Sequence, residues 1–117
     1  MLAAPERLSK RSRALIIESS NELVLSAASA WEIAIKHSIG KLPLPEPPIE
    51  YVTRLMASTA VSPLPVYHRH ALHVSTLPLH HADPFDRLLI AQAQLEALPV
   101  LTADSVFRRY DIETLPA

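Results

Sequence analysis

The sequence predicts an α/β layered domain with a mainly parallel sheet, and three observations carry that prediction. Helical segments alternate with short apolar runs of strand length. The chain has 117 residues, 49% of them apolar and 20% charged, with a single glycine and 11 prolines, which fits one core and excludes a multidomain or disordered protein. No internal repeat or low-complexity tract breaks the alternation.

The elements follow in chain order. From about Glu6 to Glu18, Leu8, Leu15 and Ile16 recur at helical spacing while Arg7, Lys10 and Arg11 take another side, which predicts an amphipathic helix. Glu22 to Leu25 is a strand-length run that leads straight into Ser26 and an Ala-rich helix ending near Ile39, with Gly40, the only glycine, as its stop. Residues 43 to 48, PLPEPP, lack too many backbone donors for helix or central strand and form a stiff connector. A helix follows from Ile49 to about Thr59. Val61 to Val66 contains Pro63 and Pro65, so it can be extended only as an edge strand. Tyr67 to Thr76 predicts a short helix, and Asp83-Pro84 opens a strong one that runs to about Ala97. Pro99 to Thr102 and Ile112 to Leu115 are the last strands.

Bulk charge excludes some functions. With 11 basic and 12 acidic residues the formal charge is −1, so any nucleic-acid site must be local rather than a property of the whole surface. There is no Cys, hence no disulfide and no thiolate metal site. No apolar run approaches the ~20 residues of a membrane span, and the start lacks a signal-peptide core, so a cytoplasmic protein with no membrane role is the expectation.

In parallel α/β folds, ligands collect beyond the carboxyl ends of the strands, which directs attention to the residues just after Leu25 and Leu101. Three carboxylates fall near that rim. Helical spacing gathers Ala27, Ala28, Ala30, Trp31, Ala34, Ile35 and Ile39 into one apolar face with Glu32 at its border, and Ser29 and Lys36 on the polar side. Taken alone, Glu32 reads as part of a capping box and as an i,i+4 partner of Lys36. Asp86 heads the stripe Leu89, Ile90, Ala93, Ala97, where a solvated acid fits poorly; Asp83 beside it suits an N-cap, and the helix dipole accounts for Asp86 only in part. Asp104 follows the apolar strand and also suits an N-cap. As a set, the acids would repel unless a cation compensated them, and hard oxygen ligands point to Mg²⁺ or Mn²⁺ acting on a phosphodiester.

Other features are weighed lower. Five histidines, His68, His70, His73, His80 and His81, fall within fourteen residues, but without a complete ligand set they read as surface histidines rather than a zinc site. Arg7, Lys10, Arg11 and Arg13 read as a solvated helix face, and Trp31 as a core or interface anchor.

The stretches SAASAWEIAIKHSIGKL (26 to 42), LPLHHADPFDRLLIAQAQLE (77 to 96) and LPVLTADSVFRRYDIETLPA (98 to 117) resemble PIN-domain proteins of the VapC-like toxin group. The resemblance implies a three-layer α/β/α fold and a Mg²⁺- or Mn²⁺-dependent endoribonuclease, a hydrolase of RNA that pairs with itself as a homodimer and is neutralised by a cognate antitoxin. It assigns metal-binding roles to Glu32, Asp86 and Asp104, an accessory acid to Asp83, and a polar neighbour to Thr102. Members of the family begin with an apolar strand ending in a first metal-binding aspartate, whereas no Asp precedes Asp83 in this chain. The expectation is therefore a single PIN-like domain over residues 1 to 117, N-terminally truncated and lacking the usual first central strand. A misplaced start or a fragment of an active gene is favoured over a decayed copy, because the three later acids remain. The chain as given is expected to be a weak or inactive nuclease of marginal stability. The alternative is a non-catalytic remnant that binds an antitoxin or another partner.

Overall fold

A computed structural model describes the backbone of residues 2–3 and the whole of residues 23–116. The helix expected over 6–18, with Arg7, Lys10, Arg11 and Arg13, lies outside the described residues. The strands are β1 (Leu2–Ala3), β2 (Val24–Ser26), β3 (Ser62–Leu64), β4 (Val100–Leu101) and β5 (Thr114–Leu115). The helices are α1 (Ala27–Ser38), α2 (Pro48–Thr59), α3 (His68–His73) and α4 (Pro84–Glu96), with 3-10 turns at Val74–Thr76 and Ser105–Arg109.

The strands form one sheet in the order β3-β2-β1-β4-β5, and every neighbouring pair is parallel. The α/β expectation with a parallel sheet holds, with one correction. The middle of the sheet does not lack its strand: Leu2 pairs with both Val24 and Val100, and Ala3 with Leu101. Buried backbone donors and acceptors on β2 and β4 need partners, and two residues of extended chain supply them.

Local chemistry sets the element ends. Ser26 has extended backbone and its Oγ accepts from the Ala28 N–H at 3.0 Å, which turns β2 directly into α1. At the other end, Gly40 adopts φ +77; its N–H reaches the His37 carbonyl at 3.1 Å, and the Lys41 N–H reaches that of Lys36 at 2.8 Å. That double closure requires a left-handed residue at this point, which glycine adopts without steric cost. Pro63 sits in β3, at the edge of the sheet, where a missing donor is tolerated. Asp83 caps α4 by accepting from the N–H groups of Phe85 (2.9 Å) and Asp86 (3.1 Å), and Pro84 takes the first helical position.

The core gathers on α4. Leu89, Ile90, Ala91 and Ala93 pack with Leu77, Val100, Phe107 and Tyr110. The stripe expected for this helix is buried from Asp86 to Ala93, while Ala97 forms its exposed, left-handed cap at φ 53. Gln92 is buried as well, because it has partners: its Oε1 accepts from Ser26 Oγ and its Nε2 donates to the Pro65 carbonyl at 3.1 Å.

The histidines do not all lie on the surface. His70 is fully buried in α3, where its Nδ1 accepts from the Tyr67 N–H at 3.0 Å and its Nε2–H faces Glu96 Oε2 at 3.3 Å. Arg69 reaches the same oxygen at 2.8 Å, so Glu96 ties α4 to α3. The hydrogen bond from Arg69, then that from His70, holds the Glu96 carboxyl below its ordinary 4.5. The stabilisation is therefore present above pH 4.5 and is lost as pH falls through the lowered folded value. Glu96→Gln should flatten this acid limb, so that its stability deficit against the parent chain narrows as pH falls below 4.5, measured by urea unfolding at stepped pH.

Candidate metal centre

All the strands run the same way, so their carboxyl ends share one edge, and β2 and β4 deliver the chain from that edge into α1 and the 105–109 turn. Asp104 follows β4. Its N–H donates to Thr102 Oγ1 at 3.0 Å and its Oδ1 accepts from the Val106 N–H at 3.1 Å, so the residue is both the expected cap and a half-buried acid at the rim. Thr102, read as a polar neighbour, makes that contact directly. Asp86 stands in the first turn of α4 and is only 6% exposed, with Oδ2 accepting from His81 Nε2 at 2.7 Å. One ligand atom from each of His81, Asp86 and Asp104 lies within 4.8 Å of the others.

Glu32 is buried in α1 at 2% exposure, with Lys36 Nζ 2.7 Å from its Oε2. Its other oxygen, Oε1, is buried and makes no hydrogen bond among the described residues. An acceptor taken out of water in that way is costly unless something positive meets it. Glu32 and Asp83 lie outside the close group formed by His81, Asp86 and Asp104, and one Asp83 oxygen is committed to capping α4.

The apolar face expected for α1 is not the one it buries. Ala28, Ser29, Glu32 and Ile33 face inward, whereas Ala27 and Ala34 are exposed and Trp31 remains 61% exposed, with its ring edge-on to Phe85 at 5.2 Å. The helix is rotated from the hydrophobic optimum so that the acid points inward. Small Ala28 and Ser29 permit that close approach, and it leaves an aromatic surface patch. Trp31 is accordingly no part of the core.

Sequence reasoning missed His81 and the groups that hold it. The His80 and His81 N–H groups donate to Tyr110 Oη at 3.1 and 2.9 Å. Arg87 donates to the carbonyls of Val74, Leu77, Pro78 and His81. The available signal was the HHADPFDR segment, in which His81 precedes Asp86 by five residues, too far for one helix and close enough for one turn. Beside Asp104, a groove of about 440 Å³ is lined by Thr102, Asp104, Arg108 and Thr114 at the ends of β4 and β5.

The donor set fits a divalent cation. Buried Asp86 and half-buried Asp104 converge with His81 at the edge, and in α1 the buried Oε1 of Glu32 has no hydrogen-bond partner among the described residues. A parallel α/β fold with acids from separate elements gathered beyond the strand ends defines a class, the acid-centred α/β domains suited to hard cations and phosphate esters. Within that class the chain belongs to the PIN-domain family, whose model matches residues 1–113. It is 51% identical over 61 residues to Ribonuclease VapC16 of Mycobacterium tuberculosis, a stretch equal to 52% of this chain and 43% of that protein. The alignment thus spans less than half the length of this curated relative. In the structure of FitAB bound to IR36 DNA fragment, a chain 16% identical superposes with a TM-score of 0.67, covering 98% of this chain and 93% of that one, which bears on the fold alone.

Proposed function

We propose that the protein is a divalent-cation-dependent endoribonuclease of the toxin–antitoxin type, acting in the cytoplasm. The observation that carries this reading is the convergence of Asp86 and Asp104, eighteen positions apart in sequence, at the carboxyl edge of a PIN-family sheet. Asp86 and Asp104 hold Mg²⁺ or Mn²⁺, Glu32 supports it through its buried Oε1, and Asp83 fixes the start of α4 so that Asp86 faces inward. When bound, the cation supplies Lewis acidity toward water and a phosphate oxygen. Lys36, 2.7 Å from Oε2, orients the Glu32 carboxylate. The groove at Asp104 admits the RNA backbone, with Arg108 as its cationic wall.

The likeness to Ribonuclease VapC16 supports RNA as the substrate, and the resemblance to the VapC-like toxin group implies a cognate antitoxin as the partner. The exposed Trp31 with Phe85 beside it, and Ile39 at 59% exposure, suit a protein partner, either the antitoxin or a second copy in a homodimer. No helix among the described residues is long and apolar enough to cross a membrane. The alternative is a non-catalytic module that sequesters an antitoxin.

The test is cleavage of RNA by the purified chain with Mg²⁺ or Mn²⁺, against a chelated control, together with growth after induction. Cation-dependent cleavage and growth arrest relieved by an antitoxin are expected. No cleavage under either cation, with tight antitoxin binding, would replace the nuclease by the sequestering module.

A further inference from the structure

We infer that His81 is a direct nitrogen ligand of the cation, so that the centre is a mixed imidazole–carboxylate site that prefers a first-row transition ion such as Mn²⁺ over Mg²⁺. This rests on the cation-dependent reading above and adds to it a ligand and a selectivity. An imidazole nitrogen of His81 lies within 4.8 Å of oxygens from both Asp86 and Asp104. If Nε2 is the ligand atom, the proton it shares with Asp86 Oδ2 is held on Nδ1 instead once the cation binds, so that neutral imidazole supplies the lone pair. Mg²⁺ favours oxygen donors and keeps several waters, whereas imidazole suits transition ions, so a nitrogen in the set shifts preference toward the latter.

The surroundings of His81 show a built position. Its N–H is taken by Tyr110 Oη at 2.9 Å and its carbonyl by Arg87 at 3.3 Å, so the backbone is held from both sides. Tyr110 is 5% exposed within the core, and Arg87 also gathers the carbonyls of Val74, Leu77 and Pro78, which fastens the whole approach to α4. The ring stands edge-on to Phe107 at 6.3 Å, and its side chain is only 23% exposed. A solvated histidine needs none of this. Its neighbour His80 has the same backbone anchor to Tyr110, yet it is exposed and outside the ligand group.

The experiment loads the full chain with Mn²⁺ and records its pulsed EPR spectrum for nitrogen couplings, with Mn²⁺ and Mg²⁺ affinities from titration and competition. A coupling typical of coordinated imidazole is expected in the parent chain and in His80→Gln, and is lost in His81→Gln. Mn²⁺ affinity should fall about tenfold in His81→Gln, while Mg²⁺ affinity changes less than about threefold. Absence of the coupling in the Mn²⁺-loaded parent would overturn the inference and leave His81 as a hydrogen-bond partner of Asp86; this result does not depend on whether a variant folds. Persistence of the coupling in His81→Gln, or an equal fall for both cations, would also overturn it. Mn²⁺ binding no tighter in the parent than in Asp86→Asn and Asp104→Asn would instead sink the cation-dependent reading itself, and the inference with it.

Discussion

Asp86→Asn should reduce cation-dependent RNA cleavage by about a hundredfold or more while leaving the fold intact. Asp86 is the most buried acid in the close group, and its carboxylate is aimed by the start of α4. The amide keeps the shape and can still accept from His81, so helix capping by Asp83 is untouched. The stability response provides a second readout. Without a cation, two neighbouring carboxylates repel, so Asp86→Asn should be neutral or slightly stabilising. With cation at about 100 times its Kd, the parent chain should gain ~2.7 kcal/mol and the variant almost nothing. The measurement is Tm with and without Mn²⁺ alongside cleavage rate. An equal Tm gain in parent and variant would place the cation elsewhere.

Phe107→Ala should give the largest loss of stability, about 3–5 kcal/mol. The ring is fully buried and joins α4, β4 and the 105–109 turn in one cluster. Small domains hold roughly 5–15 kcal/mol in total, so the variant would sit near the unfolding threshold, with Tm lowered by roughly 12–20 °C. Phe107→Leu retains most of the volume and should recover much of that loss. Because His81 leans on this ring, Phe107→Ala should also weaken Mn²⁺ binding below its Tm, whereas a purely structural role predicts unchanged affinity in the folded fraction.

The elements were legible because their signals are local. Gly40, Pro63 and Asp83 each carry out in the structure the backbone task their chemistry suggested, whereas the capping box expected at Glu32 is not formed, because α1 starts earlier, with Ser26 as its cap. The stripe on α4 was legible too, since Leu89, Ile90 and Ala93 recur at the helical period and all face the core. For α1 the same reasoning chose the wrong face. Its alanines make the hydrophobic contrast shallow, and a buried Glu32 paired to Lys36 outweighs an exposed Trp31 only once α4 and the sheet are in place. His70 was read as surface because no local signal reveals that Tyr67, Gln92 and Glu96 surround it with partners.

The sequence by itself determined the order of helices and strands, their caps, the parallel sheet and the acids worth suspecting, because capping, proline geometry and periodicity act over a few residues. Only the tertiary structure decided that Leu2–Ala3 fills the middle of the sheet, that α1 turns its glutamate inward, and that His81 joins Asp86 and Asp104. Those outcomes depend on which distant backbone groups need partners and which of them Tyr110 and Arg87 hold in place, and such long-range demands leave no periodic trace along the chain.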